Sequence, residues 1–127
     1  AGTHGSTYGG NPLGCAVGCA VLSEVANDAF LAEVNRKAGL LCQKLEGLVA
    51  AHPQVFESVR GSGLMLGIKC TAANTDVVNA GYAKGVITVP AADNVIRLLP
   101  ALNITDEDIA QAVYLLDKSA TKVAGHG

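Results

Sequence analysis

A chain of 127 residues is long enough for one domain with its own core, without a disulfide or metal staple. Half of it is apolar, only 16% is charged and the mean hydropathy is +0.34. No apolar run reaches the roughly 20 residues of a spanning helix, because Glu24, Asn27, Glu33, Arg36 and Lys44 interrupt the helical patterns. A net charge of −2 with scattered basic residues, and the absence of Trp, argue against a nucleic-acid surface.

So oily a composition predicts that part of the apolar surface is covered by another domain or subunit. The opening Ala1-Gly2-Thr3-His4-Gly5 lacks the basic and apolar blocks of a signal peptide, and a start without Met in a Gly-rich loop reads as an excised segment. The cysteines stand at positions 15, 19, 42 and 70. Cys15 and Cys19 share a helix face, but His4, His52 and His126 supply no matching ligand pattern. No metal site is expected, and the thiols are read as small buried hydrophobes.

Taken in chain order, the residues through Gly10 form a loop. Asn11-Pro12 then reads as an N-cap followed by proline at the first helical position. Leu13, Ala16, Val17, Ala20, Val21 and Val25 recur at helical spacing, and Gly14 and Gly18 keep that helix thin. It fits poorly with the rest of the chain, as if packed elsewhere. Asn27-Asp28 recaps a longer helix to about Ala51, with Phe30, Val34, Ala38, Leu41, Leu45 and Leu48 as its apolar stripe. His52-Pro53 ends it.

The period then changes from 3.6 to 2. Val55 to Arg60 and Leu64 to Cys70 read as strands around a Gly61-Ser62-Gly63 turn. Asp76 to Lys84 reads as a short helix closed by Gly85, followed by strands Val86 to Val89 and Val95 to Leu99 around an Ala-Asp-Asn turn. Thr105 caps a last helix whose apolar face is Ile109, Val113, Leu116, Ala120 and Val123, and the tail from Ala124 is expected to fray. The sum is an α+β, two-layer domain with a small, mostly antiparallel sheet.

Three segments carry candidate chemistry. His4-Gly5-Ser6-Thr7-Tyr8-Gly9-Gly10-Asn11-Pro12-Leu13 places hydroxyls and free N–H groups before a helix start, which suits either an anion or a plain cap. Val59-Arg60-Gly61-Ser62-Gly63-Leu64-Met65-Leu66-Gly67-Ile68 offers a tight turn and a flat strand face; Arg60 there binds a carboxylate or covers apolar surface with its stem. In Val95-Ile96-Arg97-Leu98-Leu99-Pro100, alternation puts Val95, Arg97 and Leu99 on one face and Ile96 and Leu98 on the other. A guanidinium in so apolar a strand needs a partner, either a structural carboxylate or a ligand carboxylate.

In this order and at these separations the three segments closely resemble the C-terminal third of the class III aminotransferases that depend on pyridoxal 5'-phosphate (PLP), over essentially the whole chain. Asp93 to Pro100 and the following Leu102-Asn103-Ile104-Thr105 are most similar to the branch that acts on acetylornithine in arginine biosynthesis. Ala101 stands where the family often has proline, and Gly14 where it often has alanine. The resemblance implies a loop and linking helix at 1–27, packed on a missing large domain or a partner subunit, and a small C-terminal domain at 28–127. It implies that Thr7 hydrogen-bonds the PLP phosphate across a homodimer interface, that Ser6 lies by the substrate, and that Arg97 holds the substrate α-carboxylate. The implied enzyme is cytoplasmic and moves the amino group of N-acetylornithine to 2-oxoglutarate. The family's PLP-anchoring lysine lies upstream of the first motif, so the chain alone is expected to be inactive. Ornithine, succinylornithine or 4-aminobutyrate as donor, and a non-catalytic α+β binding module, remain as alternatives.

Overall fold

The computed structural model of the chain describes residues 5–125. Two compact units divide between Glu33 and Val34.

The first unit holds α1 (Pro12–Val25) and the start of α2 (Asp28–Ala51). Pro12 opens α1, and the Asn11 side chain accepts a hydrogen bond from the Gly14 N–H at 2.8 Å. The Asn27 carboxamide caps α2 in the same way, accepting from Ala29 at 2.9 Å and Phe30 at 3.2 Å. No residue of α1 is buried, and Leu13, Val17, Val21 and Leu22 are each more than half exposed. Cys15 and Cys19 are exposed with them, so only Cys70 of the four thiols is a buried hydrophobe; Cys42 is half-buried. The expectation of four buried thiols fails at α1, where no residue is buried.

The second unit is a four-stranded antiparallel sheet with helices on one face. It comprises β1 (Phe56–Ser62), β2 (Met65–Cys70), α3 (Asn74–Lys84), β3 (Val89–Ala91), β4 (Val95–Leu98) and α4 (Asp106–Ala124), besides most of α2. The strand order is β1-β2-β4-β3, so β2 and β4 are central. Leu66, Ile68, Ile96 and Leu98 point into a core closed by Leu41, Leu45 and Leu48 of α2, Val77 and Val78 of α3, and Ile109, Leu116 and Ala120 of α4. Of the stripe expected on α2, Ala38, Leu41, Leu45 and Leu48 are buried, but Phe30 and Val34 only partly so; on α4 Val113 and Val123 are likewise only partly buried, while Ser119 is fully buried and donates its hydroxyl to the Leu115 carbonyl. A hydrogen bond of 2.7 Å between His52 Nε2 and Asp117 Oδ1 ties the end of α2 to α4.

Several boundaries differ from those expected, among them α3, which starts at Asn74 rather than Asp76. β1 continues through Gly61 to Ser62, because Gly61 at φ +133° lets the strand pass where a Cβ would run into the Met65 carbonyl oxygen. Val86 to Thr88 do not join the sheet. The β3–β4 ladder starts at Val89↔Arg97, and β4 ends at Leu98, just before Leu99-Pro100. Finally, α4 stays helical through Ala124 with Gly125 as its cap, and the remainder of the tail expected to fray lies outside the described residues.

The β3–β4 turn has positive φ at both Asp93 (62°) and Asn94 (53°), residues that tolerate this region better than most. Asn94 then staples the turn. Its amide donates to the carbonyls of Cys70 (2.7 Å) and Ala72 (2.8 Å), and its oxygen accepts from the Asn74 N–H (2.9 Å), replacing the side-chain cap that Ala73 cannot give α3. Asn74 in turn donates to the carbonyls of Ala91 and Val95. Asn94→Ala should therefore cost about 2–4 kcal/mol in a urea denaturation series, since three half-buried groups lose partners. A loss below about 0.5 kcal/mol would mean that water replaces the staple.

Candidate functional site

The face of the sheet away from the helices is built by cross-strand rows. One runs Arg60↔Gly67↔Arg97↔Val89, and the next runs Ser58↔Lys69↔Val95↔Ala91. Directly paired residues of antiparallel strands share a face, so Arg60, Lys69 and Arg97 all stand on the open side.

Arg97 is exposed between buried Ile96 and Leu98. Among the described residues its guanidinium has neither hydrogen bond nor ion pair. Of the two partners open to Arg97, a structural carboxylate is not found among the described residues, and the burial that made a partner necessary does not occur. Alternation carries Arg97 out of the core, so no desolvation has to be offset. Val95 departs from the simple alternation, being buried although it shares Arg97's face; its Cγ1 lies 2.8 Å from where a Cβ on Gly67 would be. The missing side chain at Gly67 is the space into which Val95 packs.

The other two cations are engaged by one carboxylate. Arg60 Nη1 donates to Asp93 Oδ2 at 2.9 Å, and Lys69 Nζ donates to Asp93 Oδ1 and to the Asp93 carbonyl, each at 2.6 Å. Of the two roles open to Arg60, carboxylate binding is the one observed, with a protein carboxylate. Hydrogen bonds from Lys69 and then Arg60 hold the Asp93 carboxyl below its usual range. Motif reading missed Asp93, whose only signal was a turn residue, and Lys69, whose strand position says nothing about a partner 24 residues away.

Ser6 and Thr7 sit side by side in the exposed loop before α1. Among the described residues neither hydroxyl has a hydrogen-bond partner. A Cβ on Gly9 would lie 3.0 Å from the Ser6 Cβ and 3.1 Å from its Oγ, so glycine there lets the loop fold on itself. Tyr8 closes the turn through its carbonyl, which accepts from the Asn11 side chain at 2.7 Å. Two unengaged hydroxyl donors with no acidic side chain in the loop suit an anion such as a phosphate. The His4 that begins the motif lies outside the described residues. No group of three or more His, Cys, Asp or Glu that could hold a metal occurs among the described residues, and burial pushes the Cys70 thiol up to about 11. No single described helix is long and apolar enough to cross a membrane.

The family model described as aminotransferase class-III matches residues 1–119. The acetylornithine aminotransferase of Rhodobacter capsulatus is 61% identical over 123 residues, which is 97% of this chain and 31% of that protein. The mitochondrial acetylornithine aminotransferase of Saccharomyces cerevisiae is 37% identical over 96% of this chain and 29% of its own length. Among solved structures, the N-acetylornithine aminotransferase from Stenotrophomonas maltophilia superposes with a TM-score of 0.84 at 30% identity, covering 93% of this chain and 33% of that one. An ornithine aminotransferase from Toxoplasma gondii, with PLP at partial occupancy in its active site, gives a TM-score of 0.83 at 30% identity over 98% and 30%. The chain thus spans about a third of the length of the relatives it matches.

The Asp93 pairing has a pH signature. A carboxyl whose folded pKa is lowered contributes stability that is present above its unfolded value, about 3.9, and lost as pH falls through the folded value. A carboxyl chemical-shift titration of Asp93 should have its midpoint below about 3.9, and Lys69→Met should raise it. A midpoint at the unfolded value would dissolve the pairing.

Proposed function

The chain belongs to the class-III aminotransferase family, and from that premise we propose that it forms the C-terminal third of a transaminase moving the amino group of N-acetylornithine to 2-oxoglutarate with PLP. The observation that carries this is the Arg97 guanidinium, exposed and unengaged on a central strand whose neighbours Ile96 and Leu98 are locked in the core. Arginine so held is preorganised for bidentate capture of a carboxylate, which both substrates carry. The names of the curated relatives support the donor. Comparable superposition on ornithine aminotransferases supports the second reading, ornithine as donor; side-by-side rates for the two donors in the full-length enzyme separate them.

The division of labour follows from the residues. PLP, when bound, supplies the electron sink for amino transfer. Thr7 donates its hydroxyl to the cofactor phosphate, reaching across a homodimer interface into the neighbouring subunit's site. Ser6 lies beside the substrate, and Arg97 holds the α-carboxylate. Residues 1–27 act as phosphate-contact loop and linking helix, and 28–127 as the small domain. The exposed apolar side chains of α1 support its packing on the large domain or the partner subunit. Cytoplasmic residence belongs to the same proposal. None of the lysines here is offered as the PLP anchor: Lys69 is held by Asp93, and Lys37, Lys44, Lys84, Lys118 and Lys122 lie in helices. The isolated chain is therefore inactive.

In the full-length enzyme, Arg97→Ala should raise the donor KM by about 10- to 100-fold, the worth of hydrogen bonds to a charged group. An unchanged KM would make Arg97 structural. Thr7→Ala should weaken PLP binding by roughly 1–3 kcal/mol, read as cofactor loss on dialysis; full retention would remove Thr7 from the site.

A further inference from the structure

Among the described residues three cations crowd the open face of the sheet, and of these Arg97 alone has no hydrogen bond or ion pair. Arg60 and Arg97 flank Gly67 in a single cross-strand row, which sets their backbones about 10 Å apart at two strand spacings. Gly67 has no side chain to separate them; a Cβ there would lie 3.9 Å from Arg60 Cγ. Both arginine side chains are long enough to serve the same ligand. Lys69 stands in the next row on the same face.

Asp93 decides which of them does. It lies at the β3–β4 tip, in a left-handed conformation held by the Asn94 staple, and each of its carboxylate oxygens takes one of the competing cations. We propose that Asp93 is a specificity-determining residue of the carboxylate site: by occupying Arg60 and Lys69 it leaves Arg97 as the one cation of the face able to take a substrate carboxylate.

This rests on Arg97 being the carboxylate anchor and adds what keeps that anchor unique. Without Asp93, a dicarboxylate acceptor would have a second pair of cations within reach of one carboxylate while the other sits on Arg97. It would also meet Arg60 and Lys69 as an alternative, unproductive anchor. The pairing is also a matter of charge. Three cations and one carboxylate leave the face positive, and deleting the carboxylate makes it more so, while deleting Arg60 and Lys69 leaves an unmatched negative charge near the ligand. Two variants therefore shift anion binding in opposite directions, whereas damage to the turn would weaken binding in both.

The test uses the full-length, PLP-loaded enzyme with glutarate, an unreactive five-carbon dicarboxylate, as inhibitor against the amino donor. Asp93→Asn should tighten glutarate inhibition by about three- to tenfold at low salt, the effect of a unit charge some 10 Å away near a protein surface. The gain should shrink as salt rises, and Asp93→Glu should restore the parent value. The double variant Arg60→Met, Lys69→Met, which removes two unit charges rather than one, should weaken glutarate inhibition by a larger factor, about tenfold or more at low salt. Glutarate binding that is unchanged or weaker in Asp93→Asn would overturn the proposal, as would tighter binding in the double variant. The second variant keeps the question answerable if Asp93→Asn does not fold. Arg97→Ala separates the two levels. If it leaves glutarate and donor binding intact, the anchor assignment fails and this inference with it. If it weakens both while the Asp93 variants have no effect, only this inference fails.

Discussion

Ile96 and Leu98 go into the core, and the two-residue repeat of a strand then has one place left for Arg97, on the far side of the sheet. Much of the second unit serves that constraint. Leu41, Leu45 and Leu48 of α2 and Ile109, Leu116 and Ala120 of α4 make the apolar layer that draws Ile96 and Leu98 inward. Ladders to β2 and β3 fix the backbone of β4 from both sides. A slip of one residue in register would bury the guanidinium and expose two large aliphatic side chains, at a cost no surface ion pair would offset.

The open face is arranged around small residues and a turn rather than around bulk. Gly67 gives up its side chain, Val95 packs into the vacated space, and Arg60 passes beside it toward the hairpin tip. The tip itself is an acidic residue and an amide, both in the left-handed region. Asn94 ties it to the end of β2 and the start of α3, and Asp93 collects two cations. These exposed ion pairs add little to stability by themselves. Under the role proposed for Asp93, what they set is the charge pattern met by a ligand: among the described residues, Arg60 and Lys69 are engaged and Arg97 is not.

The helices and the core were legible from residue order, because an apolar period of 3.6 in α2 and α4 has few other solutions, and the caps Asn11, Asn27 and Thr105 sit where side-chain acceptors belong. The antiparallel sheet was legible too, and so was the alternation that sets Arg97 opposite Ile96 and Leu98, but not that its side of the sheet is open. The engagement of Arg60 was not. It depends on β1 and the β3–β4 turn coming together across 33 residues of sequence, with the register β1-β2-β4 set by α3 and the Asn94 staple, and no local pattern encodes that. The exposure of Cys15 and Cys19 escaped for a different reason. Helical spacing says which residues share a face, not whether anything in the chain covers it. The short β3 reflects a ladder that stops where β4 runs into Leu99-Pro100, so the β-branched run at Val86 to Thr88 has no strand to pair with.

The most direct test is a crystal structure of the full-length, PLP-loaded enzyme with glutarate bound. The expected result is a carboxylate in bidentate contact with the Arg97 guanidinium, while Arg60 and Lys69 remain on Asp93. Glutarate seated elsewhere, with Arg97 engaged by a carboxylate of the protein itself, would contradict the assignment of this face as the substrate's anchor.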